Sequence, residues 1–219
     1  IQKNIHFSNL CLVIIDEQHR FGVNQRNDLL KKGKNPHFLS MTATPIPRTL
    51  SMSVYADMDL SVIDELPPGR KPVTTTVVSD DRRDSVIVRV ANACTNGRQV
   101  YWVCTLIEES ETLQCQAAEV NAQELSKLLP NVKIGLVHGR MNPTTKSEVM
   151  NEFKSGLIDL LVATTVIEVG VDVPNASLMI IENSERLGLA QLHQLRGRVG
   201  RGSEESHCVL MYKKPLGKQ

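Results

Sequence analysis

Aromatic residues are scarce in this 219-residue sequence, making up 4% of it with a single Trp. A platform that stacks unpaired bases needs several exposed rings, so that mode of nucleic-acid binding is disfavoured, whereas tracking along a phosphate backbone stays open. Charge of one sign is lacking too. Lys and Arg number 25 and Asp and Glu 24, a net charge of +1, so any contact with a polyanion must come from local clusters. None of the five cysteines (Cys11, Cys94, Cys104, Cys115 and Cys208) stands in C-x-x-C spacing, which weakens zinc and dithiol readings. An odd count without a framework fits a reducing compartment. Cys11, Cys104 and Cys208 lie inside apolar runs and are expected as small core residues. No apolar run reaches membrane length and no signal peptide is present, so a cytoplasmic protein with no membrane partner is expected. The sequence does not begin with Met, and the expectation is that the natural N-terminus lies upstream.

What is there reads as an ordinary globular composition, 41% hydrophobic and 22% charged, long enough for one large domain or a domain and a half. Short apolar runs alternate with segments of helical period. Strands are predicted over 10–15, 37–42, 73–79, 99–106, 133–138, 157–163, 177–182 and 207–212. The clearest helix covers 112–129, where Leu113, Ala117, Val120, Leu125 and Leu128 fall on one broad stripe. Such alternation implies an α/β fold with a parallel sheet covered on both faces. One stretch breaks the pattern. Residues 65–72 hold three prolines and a glycine, which neither a helix nor a central strand accepts, and they read as an interdomain linker. Residues 73–212 then supply six strands with their helices. Residues 1–66 supply two or three, and the wholly apolar run 10–15 belongs in a sheet interior flanked on both sides. The early segment is therefore expected to be the end of a larger domain, and less well packed than the rest.

The run 10–15 is followed by Asp16-Glu17-Gln18-His19. Open α/β sheets bind ligands at the carboxyl ends of their strands. Phosphoryl transfer needs an Asp there to hold Mg²⁺ and a second group to orient water, roles that suit Asp16 and Glu17, with His19 linking to the next strand. Met41-Thr42-Ala43-Thr44 ends that next strand, where small hydroxyls can bond a neighbouring carboxylate or imidazole; Thr44 before Pro45 also suits a helix start. The alternative for Asp16 and Glu17 is that they simply end a strand and cap a helix.

Residues 191–202 read QLHQLRGRVGRG. At spacings i, i+4 and i+7, Gln194, Arg198 and Arg201 are expected to share one helix face, with Leu192, Leu195 and Val199 on another. From Arg186 to Gly202 there are four arginines and no acid. Arginines projected into a cleft can neutralise a transferring phosphoryl group. The alternative is a surface arginine cluster. Gly197, Gly200 and Gly202 resemble a phosphate loop, but the segment before them is helical and the dinucleotide reading is rejected. Further strand ends carry His138, Gly139 and Arg140, then Thr164 and Thr165, then Thr105, residue types that suit phosphate positioning as well as ordinary capping. Trp102 sits in an apolar run and reads as core, and His6, His37 and His207 receive no role.

Taken together these residues resemble the motif set of superfamily 2 helicases. Asp16–His19 matches motif II, 42–44 motif III, 137–141 the segment between motifs IV and V, 163–174 motif V, and Gln194–Arg201 the Q-x-x-G-R-x-x-R of motif VI. Within the superfamily the sequence is most similar to the RecG family of bacterial branched-DNA helicases. The similarity is carried by 16–23 (DEQHRFGV), 42–49 (TATPIPRT), 61–74, 108–111 (EESE) and 185–202. The runner-up is the transcription-repair coupling translocase, and a separate class is a non-catalytic module that only binds DNA or protein.

The resemblance implies a P-loop NTPase-type α/β fold of RecA-like parallel sheets. It divides the chain into 1–66, the end of a first motor domain; 67–72, a linker; and 73–219, a complete second domain. It implies ATP and Mg²⁺ as ligands, with Asp16, Glu17, His19, Gly170, Asp172, Gln194, Arg198 and Arg201 facing the nucleotide. Asp16 would hold the metal with Glu17, and Arg201 would be the likelier arginine finger. His138, Gly139, Arg140, Thr164 and Thr165 would face DNA. The implied activity is ATP-driven translocation on branched double-stranded DNA by a monomeric motor in the bacterial cytoplasm, with single-strand-binding protein as a candidate partner. One departure is large. No G-x-x-x-x-G-K-[ST] loop occurs in the sequence, so the lysine that binds the β- and γ-phosphates is missing, and the chain by itself is expected to be inactive.

Overall fold

The computed structural model describes residues 4–18, 21–42, 59–105, 111–165, 172–202 and 204–215, with the side chains of 111–114 outside that description. The chain divides into two compact units, Ile1–Val62 and Ile63–Gln219.

In the first unit, β1 (Leu12–Ile15) and β2 (His37–Ser40) pair in parallel, Leu12 opposite His37 and Ile15 opposite Ser40, with α1 (Val23–Leu30) between them. Val13 and Ile15 are buried, whereas Leu12 and Ile14 are 52% and 54% exposed. The run expected to be flanked on both sides therefore has one partner strand and one covered face among the described residues. Cys11, expected in a core, is exposed. It precedes β1, where its carbonyl accepts the His37 amide at 2.8 Å, while its side chain stays outside the face that buries Val13 and Ile15.

The second unit is built on six strands: β3 (Thr74–Ser79), β4 (Gln99–Val103), β5 (Ile134–Val137), β6 (Leu160–Ala163), β7 (Ala176–Ile181) and β8 (His207–Tyr212). Their order across the sheet is β3-β8-β7-β4-β6-β5, and every pairing is parallel. Each of the six predicted strands is present. The helices are α2 (Arg83–Thr95), α3 (Glu111–Leu128), α4 (Pro143–Lys154) and α5 (Leu189–Arg196). Pro143 opens α4 at its first turn, where its missing N–H is not needed, and the Asn142 side chain accepts the Thr144 amide at 3.1 Å.

Because side chains alternate across a strand, one sequence run serves two cores. Tyr101, Val103, Leu161, Ala163, Met179 and Ile181 face one way, against Phe153 of α4 and Leu195 of α5. Val100, Trp102, Leu160, Val162 and Ile180 face the other, against Val86, Ile87 and Val90 of α2 and Ala118 and Leu125 of α3. β4 is buried along its whole length, as a strand in mid-sheet must be. Trp102, Cys104 and Cys208 are core residues, as expected. Among the described residues no helix is long and apolar enough to cross a membrane.

Candidate functional site

β1 delivers Asp16 and Glu17 to its carboxyl end through a tight turn. Glu17 adopts φ 51°, a left-handed conformation that non-glycine residues seldom take, and its amide donates to Asp16 Oδ1 at 2.8 Å. The next residue fastens this turn to the neighbouring strand. The Gln18 amide donates to the Met41 carbonyl at 3.1 Å, the Met41 amide to the Ile15 carbonyl at 2.8 Å, and the Ser40 hydroxyl to Gln18 Oε1. Gln18 thus links this turn to the adjacent strand. His19, and Ala43 and Thr44 of the hydroxyl-bearing segment, lie outside the described residues.

In the second unit the arginine segment departs from its expected form. α5 ends at Arg196 and Gly197 caps it, so Arg198 and Arg201 do not share a helix face with Gln194. The physical reason is in the glycines. After Gly197 the chain tightens, with the Arg198 amide donating to Leu195 and the Val199 amide to Arg196, and Gly200 then turns it away at φ 75°. The close approach is as demanding as the dihedral. A Cβ on Gly200 would stand 2.7 Å from Val73 Cγ2, and one on Gly202 2.6 Å from the Pro174 carbonyl oxygen. Val199 still enters the core beside Leu195. Gln194 and Arg198 are half-buried and Arg201 is exposed.

That turn brings together groups far apart in sequence. Arg201 Nη1 reaches Asp172 Oδ1 at 3.3 Å, and its Nε donates to the Gly197 carbonyl at 3.4 Å. Tyr101, on β4 beneath, has its hydroxyl pushed up to about 12 by burial, with the fields of Arg201 and Arg198 opposing and that of Asp172 adding. Residues 67–70 close over the same place. Pro68 and Gly69, the latter at φ 80°, form the middle of a turn in which the Arg70 amide donates to the Pro67 carbonyl at 3.1 Å, a type II pattern. An open pocket of about 420 Å³ results, lined by Pro67, Pro68, Gly69, Arg70, Asp172, Arg201 and Gly202. Gly170 lies outside the described residues.

A second cluster forms where β5 and β6, neighbours in the sheet, both end. His138, Gly139 and Arg140 leave β5 beside Thr164 and Thr165 leaving β6, and the Thr164 amide donates to the Val137 carbonyl at 3.2 Å. Gly139 and Arg140 are exposed. His138 Nε2 lies 3.5 Å from Glu119 Oε1 of α3. His138 Nδ1 and the Thr164 hydroxyl are buried and find no hydrogen-bond partner among the described residues.

Sequence reasoning missed a third feature at the same sheet edge. Arg83, first residue of α2, donates through Nε to Glu182 Oε1 at 3.0 Å and through its terminal nitrogens to Glu124 and Asn121. Asn121 donates in turn to Glu182 Oε2 at 2.8 Å, and the guanidinium lies 5.5 Å from the Trp102 ring. Burial alone would lower the Arg83 pKa, but the ion pairs with Glu182 and Glu124 outweigh it and the net shift is upward. The Thr105 hydroxyl donates between the Glu182 and Asn183 carbonyls, at 2.6 and 3.0 Å, so the ends of β4 and β7 are tied together. Glu182 ends a predicted strand and Arg83 follows another, 73–79; their meeting is not visible in the sequence. Among the described residues no group of three or more His, Cys, Asp or Glu side chains is arranged to hold a metal ion.

Comparison with known proteins agrees with this arrangement. The model of the helicase conserved C-terminal domain matches residues 84–203, more than half of the chain. The ATP-dependent DNA helicase RecG of Pasteurella multocida is 68% identical over 222 residues, covering 99% of this chain and 32% of the relative. RecG of Escherichia coli strain K12 is likewise 68% identical, with the same coverage. A solved structure of RecG bound to a three-way DNA junction is 48% identical, with a TM-score of 0.72 over 97% of this chain and 27% of that one. The chain thus spans about a third of the length of the curated relatives it matches. With its six parallel strands in a RecA-like α/β arrangement and the arginine turn inside the matched region, the chain belongs to the family of helicase conserved C-terminal domains.

Proposed function

We propose that this chain is part of an ATP-driven motor of the RecG kind, acting on branched double-stranded DNA to regress forks and migrate junctions. Residues 1–66 would be the end of a first motor domain, 67–72 the linker and 73–219 the second domain. The motor would work as a monomer in the bacterial cytoplasm. The observation that carries the reading is the Arg201–Asp172 contact at the rim of an open pocket, which holds a guanidinium at the unit's surface and not inside it.

The chemistry follows from the charges. Asp16 and Glu17 are hard oxygen donors at a strand's carboxyl end, and Mg²⁺ takes one or two carboxylates together with substrate phosphates, so the donor set fits that ion. When bound, the ion would neutralise charge on the β- and γ-phosphates. Asp16 would hold it and Glu17 would orient the attacking water, its backbone already fixed by the left-handed turn. His19 and Gly170 would adjoin the nucleotide. From the second domain Gln194 and Arg198 would meet the phosphates, and Arg201 would compensate the charge that builds as the γ-phosphoryl leaves. Asp172 would keep Arg201 directed until the triphosphate arrives.

DNA would be met at the other cluster. Exposed Gly139 and Arg140, with His138, Thr164 and Thr165 beside them, supply amides, hydroxyls and one cation, which suit phosphate oxygens and carry no base information.

The test is a chimera in which these 219 residues replace the matching segment of the Escherichia coli relative. It should hydrolyse ATP when a three-way junction is added, and the 219-residue chain by itself should not. A folded chimera with no junction-stimulated hydrolysis would end the reading. Hydrolysis by the chain alone that Asp16→Ala abolishes would contradict the expectation that these 219 residues are inactive by themselves.

A further inference from the structure

We propose that Arg70 is a positioning residue for Arg201: it latches the 67–70 turn to the arginine turn, so that the segment leading to residues 1–62 sets where the Arg201 guanidinium points. Three observations converge on it. The Arg70 guanidinium Nε donates to the Gly200 carbonyl at 2.9 Å across 130 residues of sequence, in a partly buried setting. Its acceptor belongs to the one residue of the arginine turn held at positive φ, immediately before Arg201. Finally, Arg70, Arg201 and the Asp172 that pairs with Arg201 line the same open pocket.

The geometry makes the coupling specific. Gly200 has no room for a side chain because Val73, three residues after Arg70, occupies that space and the Lys71 carbonyl lies 3.8 Å away, so residues 70–73 meet Gly200 both by hydrogen bond and by close packing. The turn at 67–70 is stiff: Pro68 fixes its own φ and Gly69 supplies the left-handed position without cost. A stiff turn with a charged hydrogen bond at its end moves as a piece. Any change in the path of residues 63–67 would reach Gly200 through Arg70, and Arg201 through Gly200. Residues 67–72 would then be part of the site and not only a spacer.

This rests on the reading of Arg201 as a phosphate-facing group, and the experiment separates the two. In the chimera, Arg70→Ala should lower the single-turnover rate of ATP hydrolysis about ten-fold, as loss of a hydrogen bond from a charged donor would. The KM for ATP and the junction affinity should stay within about two-fold. Arg70→Lys, which keeps a donor, should recover part of the loss. In an Arg201→Lys background the same Arg70→Ala change should cost less than about two-fold, because its effect passes through the missing guanidinium. Losses that multiply across the two sites would overturn the latch. Hydrogen exchange on the 219-residue chain provides a readout that needs no hydrolysis. Amides of residues 197–202 should exchange faster in Arg70→Ala than in the parent chain, while those of β4 and β7 should not change. Equal exchange at 197–202 would overturn the proposal even if Arg201→Lys had abolished activity. An Arg201→Lys chimera of unchanged rate, together with faster exchange in Arg70→Ala, would uphold the contact and remove only the role of Arg201.

Discussion

Asp172 Oδ1 and Arg201 Nη1 stand 3.3 Å apart, joining the end of the 163–174 segment to the turn that follows α5. The side chains are 60% and 30% exposed. Exposed pairs of this sort contribute about 0–1 kcal/mol to stability, so the worth of this one lies in direction. Asp172→Asn should shift the unfolding free energy of the chain by less than about 0.5 kcal/mol, while slowing hydrolysis in the chimera several-fold. Urea titration beside a steady-state ATPase assay checks both halves. A large loss of stability with unchanged kcat would mean that the pair is a fastener only.

Arg83 and Glu182 should behave in the opposite way. Glu182 is 9% exposed and its carboxylate is bonded at both oxygens. Removing it as Glu182→Leu leaves the Arg83 guanidinium to Asn121 and the half-exposed Glu124 beside Trp102, with its Nε donor unmatched, at a cost of about 2–4 kcal/mol, near the lower end for a buried pair that loses one partner. Replacing both, as Arg83→Met with Glu182→Leu, should recover most of that loss. Trp102 is the sole tryptophan, so its emission follows the unfolding directly. A single variant within about 0.5 kcal/mol of the parent would contradict the network's role.

Gly200→Ala combines a left-handed backbone with a Cβ 2.7 Å from Val73 Cγ2. A β-branched neighbour cannot swing aside cheaply. The substitution should cost about 1–2 kcal/mol and depress hydrolysis in the chimera, because the turn that carries Arg201 must move. Gly97→Ala serves as the control, since its φ is also positive but nothing lies within 4 Å of the added carbon. It should lower stability without touching the ATPase rate; equal ATPase losses in the two variants would sink the steric account.

Burial pushes the thiols of Cys94 and Cys208 up to about 12, and that of Cys104 higher still. An unfolded chain gives up these protons near the ordinary thiol value of 9.0, whereas the native chain keeps them. Their contribution is therefore complete below that value and is lost as pH climbs toward 12. Urea midpoints should fall between about pH 8 and about pH 10.5, and fall less steeply in Cys208→Ala, where one such proton is gone. A Cys208→Ala chain that declines as steeply as the parent would contradict this. Exposed Cys11 should be alkylated well before the buried Cys104 and Cys208.

Much of this architecture is legible in the residue order, because β-branched and aliphatic runs of strand length leave few alternatives. The six strands of the second unit and the 18-residue α3 lie where the apolar pattern puts them. The segment after α5 was misread for a definite reason. A spacing of i, i+4, i+7 suggests one helix face, yet Gly197 and Gly200 allow the chain to leave the helix, and only the packing of Val73 and Pro174 shows that it does. The Pro67-Pro68-Gly69-Arg70 turn could have been read as type II from composition alone, but not its grip on Gly200. Arg83 with Glu182 and Asn121 was invisible in the same way, being 99 and 38 residues apart. Local chemistry writes the elements; tertiary approach selects which polar groups meet.

The most direct measurement is the single-turnover rate of ATP hydrolysis by the chimera carrying Arg201→Ala, at saturating nucleotide and three-way junction. If this guanidinium serves the transferring phosphoryl group, the rate should fall by a factor on the order of 10³, while junction affinity stays within about two-fold. A rate equal to the parent's, from a folded and junction-bound variant, would contradict the account.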